Sequence, residues 1–346
     1  MQSVAIQPIN SREGEEEMNN KLKLWLVLGG VIAGLLQSSI VFATDLTLFK
    51  TVYDTDFTAA GADGMRGNGD GQINLSGVSG SVSEAYLYWH GPNNSVDDNN
   101  NATVTFDGTD VTGSFLGVSS DNCWGFENSL AYRADVTSLV SGDGTYALTN
   151  FIKKDVSGLV ESDINGASLI VFFDDGDGTN NRDVVMFDGN DSDVSFAGEV
   201  DGWNISLDGI NYTSGDANVQ FHVGDGQPFT DGTLTANGTT LDGDGQVFTG
   251  DTIAGGTNTD EYLQLWDIRD FSVTSLLSPG TNNLTVDMNH VNDCLSCVLI
   301  AIDLPSGAAP PPSGVPEPAS LALLGVGLVG IGMMRQRRRR SNVAKN

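Results

Sequence analysis

Basic side chains are scarce in the middle of this sequence. Residues 44–315 contain seven Lys and Arg against 40 Asp and Glu, so about 33 net negative charges lie within a chain whose total formal charge is −29. Nucleic-acid binding needs Lys and Arg to neutralise phosphates, and this composition excludes it. Docking on anionic lipid is disfavoured for the same reason. Glycine is abundant at 43 residues, which indicates a loop-rich, acidic, extracellular protein.

Sustained helical periodicity is also missing between Thr44 and Pro305. Short β-branched and aromatic runs, such as Ala85–Trp89 and Ser168–Phe173, are bounded by Gly, Asp and Asn instead. Turn signals every 8–12 residues are typical of β-sandwiches and jelly rolls. We therefore predict an all-β fold with two tandem β-sandwich or jelly-roll-like domains, over residues 44–192 and 193–305.

An internal duplication supports two related halves. The segment Thr103–Gly113 aligns with Thr233–Gly243, and both contain a hairpin-turn dipeptide, Asp-Gly or Asn-Gly, that favours positive φ. Val136–Ser141 likewise matches Val273–Ser278 in the same order along the chain. Independent use of the same hairpin chemistry is the alternative explanation.

The N-terminal region has the pattern of a secretory signal. Residues 1–17 are interpreted as a mis-assigned start or extension, and residues 18–43 as the signal peptide. Two lysines precede an apolar run over residues 24–36, and small residues follow, so cleavage is expected between Ala43 and Thr44. An uncleaved membrane helix is the alternative.

The C-terminal region combines three elements in a fixed order. A Pro-rich stretch, residues 306–314, predicts an extended, semi-rigid linker. Three further features follow within residues 315–340: a short motif, an apolar run over residues 319–334, and a basic cluster. The motif consists of Val315, Pro316, Glu317 and Pro318; the basic cluster consists of Arg335, Arg337, Arg338, Arg339 and Arg340. The run predicts a short transmembrane helix whose arginines stay cytoplasmic, and this places the body outside the inner membrane.

This tail resembles the PEP-CTERM protein-sorting domain of Gram-negative, exopolysaccharide-producing bacteria. The resemblance implies recognition by an exosortase, cleavage near Pro316–Pro318, and release or attachment at the cell surface. A plain C-terminal membrane anchor is the alternative.

Acidic turns are the candidates for a metal site. Asn68–Asn74 resembles part of an EF-hand or dockerin-type loop, but Arg66 and Gly77 stand where carboxylates are expected. The oxygen ligands considered for Ca²⁺ are Asn68, Asp70, Asn74, Asp174, Asp175, Asp177, Asp242 and Asp244. The competing interpretation is that Asp and Asn only form turns and keep a secreted protein soluble. No cofactor is predicted beyond this candidate Ca²⁺.

Few other residues indicate a catalytic, redox or ligand-binding site. Of three cysteines, Cys294 and Cys297 are predicted to form a local disulfide, with Cys123 bonded to either one as the alternative. The three histidines share no metal-ligand spacing and are expected in loops or facing solvent. The sequence contains no nucleophile elbow, phosphate-binding loop or dinucleotide fingerprint. The aromatics considered for stacking on sugar rings are Tyr86, Tyr88, Trp89 and Trp124. Strand alternation would place half of them in the core instead.

The first functional hypothesis is therefore a non-enzymatic surface or extracellular-matrix protein. It would be exported by the secretion machinery, processed by an exosortase, and associated with exopolysaccharide, biofilm or floc. A secreted carbohydrate-active enzyme and a Ca²⁺-dependent adhesin are the alternatives. The enzyme would need two carboxylates at catalytic spacing in a cleft, which a sequence cannot measure.

Overall fold

The structure is a computed structural model, and it describes residues 44–119, 125–154, 159–193, 202–243, 245–253, 255 and 258–311. These residues form strands and two short 3₁₀ turns, and no α-helix occurs among them, so the all-β prediction is confirmed for the described chain. No helix long and apolar enough to cross a membrane lies in these ranges. The predicted signal peptide, Ala43 and the segment 315–340 lie outside them.

Eleven strands make up the first half of the chain. They are β1 (Thr44–Ala62), β2 (Gly71–Leu75), β3 (Ser81–Asn93), β4 (Thr103–Phe106), β5 (Thr109–Thr112), β6 (Ser114–Ser119), β7 (Asn128–Asp135), β8 (Gly144–Thr149), β9 (Lys153–Lys154), β10 (Val160–Ser162) and β11 (Gly166–Asp174). A 3₁₀ turn, Thr137–Leu139, lies between β7 and β8.

Eight strands make up the second half. They are β12 (Arg182–Ser192), β13 (Trp203–Tyr212), β14 (Asn218–Gly224), β15 (Leu234–Ala236), β16 (Thr239–Asp242), β17 (Trp266–Ser272), β18 (Gly280–Met288) and β19 (Ser296–Pro305). The second 3₁₀ turn, Thr274–Leu276, lies between β17 and β18.

The long strand β1 joins two inner sheets. Its residues Asp56–Ala62 pair with β11 in inner sheet 1, which continues through β3 to β7. Its residues Thr44–Thr55 pair with β12 in inner sheet 2, which continues through β19 and β14 to β17. Asp54 has a φ of 53°, and the register shifts between Val52 and Thr55, so a β-bulge separates the two parts.

Each inner sheet carries a four-stranded outer sheet. Outer sheet 1 has the order β2-β8-β4-β5, and outer sheet 2 has the order β13-β18-β15-β16. Hydrophobic side chains that alternate along the strands fill the space between them, as Leu87 and Trp89 do in the first half and Phe221 and Val223 do in the second. Full burial of such a side chain contributes about 1.5–3 kcal/mol.

A third cluster lies between the two inner sheets. Tyr88 and Phe172 from inner sheet 1 pack there with Met186, Trp266 and Leu299 from inner sheet 2. The layers approach closely, since a Cβ added to Gly166 would lie 2.5 Å from the Ala62 carbonyl oxygen and 2.6 Å from the Trp266 Cβ. The described residues therefore stack as four sheets and belong to one compact unit.

The two halves repeat the same local contacts. The Val136 and Val273 amides donate to the Ala85 and Ala217 carbonyl oxygens, both at 2.9 Å. The hydroxyls of Thr137 and Thr274, one in each 3₁₀ turn, accept hydrogen bonds from the amides of the same two alanines.

The paired hairpin turns also match. Asp107 and Asn237 share a φ of 47°, and the glycines that follow have φ values of 77° and 72°. The halves thus share one plan, as the sequence duplication predicted. The domain boundary predicted at 192/193 falls just after β12, within a body whose halves share the layer between the inner sheets.

Candidate functional site

The aromatic candidates of the first half are not available for ligands. Tyr86, Tyr88 and Trp89 are buried, with exposures of 7%, 0% and 0%. The expectation that part of them would stack on sugars is therefore wrong for these three, because β3 lies between two layers and buries both of its faces. Trp124 lies outside the described residues.

An exposed aromatic pair occurs instead on two loops of the second half. The Phe229 and Tyr262 rings are each 43% exposed, and their centroids lie 5.7 Å apart with the planes inclined at 41°. Phe229 belongs to the loop after β14, and Tyr262 to the loop before β17. We call these two side chains the aromatic pair.

Polar contacts hold the aromatic pair in place. The Gln227 side-chain amide donates to the Tyr262 carbonyl oxygen at 3.1 Å, and the Phe229 amide donates to the Gln227 carbonyl oxygen at 2.7 Å. The Gln227 amide in turn donates to Asp293 Oδ2 at 2.8 Å. A rigid, exposed apolar surface costs little ordering entropy when it binds.

Asp293 belongs to a group of buried carboxylates behind this loop, the buried acidic group: Asp193, Asp225, Asp231 and Asp293. Each is at most 2% exposed. Main-chain donors compensate part of the charge, as Asp193 Oδ1 accepts from the Leu295 amide at 3.0 Å and Asp231 Oδ2 from the Phe248 amide at 2.7 Å. Asp193 Oδ2 also contacts His290 Nδ1 at 3.0 Å.

Burial and mutual repulsion shift the titration of these acids. Burial, followed by the charges of Asp231 and Asp225, raises the pKa of Asp293 to about 9. The same causes raise the pKa of Asp193, and burial raises that of Asp231 to about 6. Asp293 therefore holds a proton at neutral pH, when a surface Asp would be ionised.

The calcium candidates lie elsewhere and form turns. The Asp174, Asp175 and Asp177 carboxylates accept from amides two residues ahead, at 2.9, 2.7 and 3.1 Å. Asn68 does the same for the Asp70 amide at 3.2 Å.

The remaining candidates are likewise dispersed. Asn74 on β2 accepts from the Thr145 hydroxyl, and Asp242 pairs with Arg269. Asp244 lies outside the described residues. No three His, Cys, Asp or Glu side chains gather as a metal-ion ligand set within the described ranges.

Two histidines contradict the expectation that they face solvent. His90 on β3 and His222 on β14 are both 0% exposed, at equivalent positions of the two halves. Burial, and for His90 also Arg66, lowers the pKa of each to about 3, so both are neutral. The repeated strand pattern could have indicated these buried positions. His290 alone lies in a loop and is partly buried.

His222 forms a hydrogen-bonded pair with a serine across the inner layers. Its Nε2 lies 3.0 Å from Gln220 Oε1, which only accepts, so Nε2 carries the proton and Nδ1 accepts from the Ser168 hydroxyl at 2.7 Å. This serine and histidine have the contact of a nucleophile and base. Both are fully buried between sheets, so a substrate cannot reach them in this conformation.

The predicted Cys294–Cys297 disulfide is wrong. Cys294 is disulfide-bonded, whereas Cys297 is a free, fully buried thiol. Cys297 lies in β19 between two sheets, and its side chain is directed into the hydrophobic core. The alternative that involves Cys123 concerns a residue outside the described ranges and stays a prediction.

The C-terminal stretch is attached to the body and is not a free linker. Residues 306–311, here called the strap, follow β19, and Ala308 and Ala309 are buried. Asp183 Oδ2 accepts from the Gly307 and Ala309 amides at 2.9 and 3.0 Å. Residues 312–314 of the predicted linker lie outside the described ranges.

Comparison with known families identifies the segment after the strap. Residues 314–339 match the PEP-CTERM protein-sorting motif. The chain therefore carries a signal for export, with a transient membrane anchor before exosortase processing to the cell surface. The predicted recognition and localisation are confirmed by this match.

Other comparisons add little. No curated protein matches the sequence. Wild-type BuGH86 and a variant, both solved in complex with neoagarooctaose, are 12% identical to this chain with a TM-score of 0.20. Each alignment covers 75% of this chain and 34% of the other, so the chain spans about a third of those proteins. A similarity this low assigns neither fold nor function.

Proposed function

We propose that this protein is a non-enzymatic component of the cell surface or extracellular matrix that contacts exopolysaccharide through the aromatic pair. The observation that carries the proposal is the sorting motif at residues 314–339, because it delivers the body to the compartment where such polymers lie. The aromatic pair supplies a contact surface on that body.

The chemistry of the pair favours a sugar polymer. The apolar C–H faces of a pyranose ring pack on aromatic faces, and Phe229 and Tyr262 together expose a platform of two rings. Tyr262 also carries a phenolic hydroxyl, a group that can hydrogen-bond to sugar hydroxyls.

The negative charge of the body disfavours one class of polymer. The body carries about 33 net negative charges, so an anionic polysaccharide would be repelled at low ionic strength. We therefore infer a neutral polysaccharide as the ligand. Binding that strengthens with added Ca²⁺ and is lost with a chelator would favour the adhesin alternative instead.

Co-sedimentation with the producing organism's own insoluble polysaccharide tests the proposal. We expect residues 44–311 to bind, each single change, Phe229→Ala or Tyr262→Ala, to weaken binding about tenfold, and the double change to abolish it, since about 1.4 kcal/mol corresponds to a factor of ten. The matched control is Val96→Ala, which truncates a side chain that is 66% exposed on a first-half loop.

Two outcomes would contradict the proposal. Equal binding by the wild type and the double variant would exclude the aromatic pair as the contact. Release of new reducing ends from the polymer by the wild-type protein would favour the carbohydrate-active enzyme.

A further inference from the structure

The strap holds the chain against the body immediately before the sorting motif. In addition to the two hydrogen bonds that Asp183 accepts, the Asn211 amide on β13 donates to the Ala308 carbonyl oxygen at 2.8 Å. The Tyr53 hydroxyl donates to the Pro310 carbonyl oxygen at 2.7 Å. The last described residue, Pro311, is therefore fixed to within a short distance of the body's surface.

Asp183 is the centre of this attachment. It is 1% exposed at the start of β12, and its Oδ1 accepts from the Asp54 amide at 3.0 Å, at the bulge that divides β1. One carboxylate thus connects the strap, β12 and the bend of β1. Three main-chain donors satisfy it, and such charge-assisted bonds are stronger than neutral ones.

Covalent geometry then limits where the sorting motif can lie. Glu317 is six residues beyond Pro311, and a fully extended chain spans at most about 3.5 Å per residue, so the two are no more than about 20 Å apart. A small protein domain is about 30 Å across. An enzyme that closes around Pro316–Pro318 therefore lies within about 20 Å of Pro311, next to the face of the body that carries the strap.

That face exposes apolar surface. A groove of about 290 Å³ runs between β1, β12 and β13 and is lined by Tyr53, Phe187, Leu207, Pro310 and Pro311, among others. Leu48, on the same groove, is 58% exposed, and Tyr53 is 38% exposed. Exposed large hydrophobic side chains that line one groove are typical of a protein-binding surface.

We propose that the exosortase docks on this face, the groove that contains Leu48 and Tyr53, while it cleaves the sorting motif. Asp183 is a positioning residue for that reaction, because it attaches the strap and so presents the motif beside the docking face. The inference rests on the sorting motif and is independent of the polysaccharide proposal.

Processing kinetics in the producing organism test the proposal with the full-length chain. Pulse-chase labelling measures how fast the precursor is shortened. We expect Leu48→Asp, Asp183→Ala, and insertion of twelve Gly and Ser residues between Pro311 and Pro312 each to slow processing at least threefold. The insertion leaves every described contact intact. The longer linker lowers the effective concentration of the motif at the docking face.

Two controls separate docking from folding. Val96→Asp places a charge at an equally exposed apolar position away from the groove and should process at the wild-type rate. Tyr53→Phe removes only the hydroxyl bond to the strap and keeps the apolar ring, so it should slow processing less than Leu48→Asp. Thermal unfolding of the purified bodies identifies any variant that fails to fold.

A photo-crosslinking amino acid detects contact between the body and the exosortase directly. A residue with a purely structural role would form no such adduct. The precursor for this experiment has Pro316–Pro318 substituted, so that it is not cleaved. A crosslinking residue at position 48 should form an adduct with the exosortase. The same residue at position 262 should form none. Wild-type or faster processing of the insertion variant, or adducts with lipid alone, would overturn the proposal.

Discussion

The two halves of this body share a framework and differ at the end of one equivalent strand. In the first half β3 continues past His90 to Asn93 and keeps pairing with β7 and β10. In the second half β14 ends at Gly224, two residues past His222, and the chain leaves the sheet. The segment that leaves carries the aromatic pair's Phe229 and two of the four buried acids. The repeated part is explained by packing, and the unrepeated part is where we place ligand binding.

The largest expected effect concerns the cores of the two halves, which are coupled through the layer between the inner sheets. Trp89 and Phe221 occupy equivalent core positions, and truncation of either to Ala should cost about 3–5 kcal/mol. Because the inner sheets pack on each other, both variants should unfold in one transition, at a lower denaturant concentration than the wild type. Fluorescence and circular dichroism followed in the same titration check this. Two separate transitions would show that the halves are independent domains.

The second prediction concerns pH and the unrepeated loop. The folded-state pKa of Asp293, about 9, lies above its unfolded value near 4, so this group stabilises the fold most at pH 4 and that contribution declines as pH rises towards 9. The slope from this one proton is at most about 1.4 kcal/mol per pH unit. Asp293→Asn should flatten the stability profile between pH 5.5 and 8.5.

Asp98 is the matched control, because it lies exposed on a first-half loop. Asp98→Asn should leave the pH profile of the free energy of unfolding unchanged. A wild-type stability that rises between pH 5.5 and 8.5 would contradict the protonated state of Asp293.

The third prediction concerns the buried histidines at equivalent positions. His222→Phe leaves the Ser168 hydroxyl and Gln220 Oε1 buried without their ring partner, which should cost about 1–3 kcal/mol. His222→Gln, which keeps polar atoms at the site, should cost less. Chemical denaturation of the two variants measures the difference. Equal stability of both would mean that the hydrogen bonds to the ring contribute little.

The smallest effect concerns the thiols. Burial raises the pKa of the Cys297 thiol, so iodoacetamide should label it only after unfolding. Peptide mapping without reductant should recover Cys294 in a disulfide, with Cys123 as its predicted partner. Rapid labelling of Cys297 in the native protein would contradict its position inside the core.

The sequence was sufficient for the β class, the duplicated hairpins and the sorting tail, because each depends on local chemistry. Asp-Gly and Asn-Gly predict a turn from two consecutive residues. The motif Val315–Pro318 can likewise be identified from the sequence without knowledge of the tertiary structure. The packing of the inner sheets on each other could not be predicted, since it depends on long-range pairing through the bent strand β1.

The same limit explains the errors at the candidate site. Tyr88 and His90 lie on one face of β3, and the residues that alternate with them lie on the other. Both faces are buried because inner sheet 2 covers the face that outer sheet 1 leaves open, and the sequence does not show this second layer. Cys294 and Cys297 suit a local bridge by spacing, yet the β-strand directs Cys297 into the core. The aromatic pair was missed because Phe229 and Tyr262 are far apart in sequence and occur in loops with no motif.

The route to the surface is the central claim, and the C-terminus of the mature protein tests it most directly. Intact-mass analysis of the protein recovered from the cell surface should give a chain that begins at Thr44 and ends near Pro316–Pro318, without the arginine cluster. Recovery of a full-length chain with Arg335–Arg340 still attached, and its retention in the membrane fraction, would contradict the account.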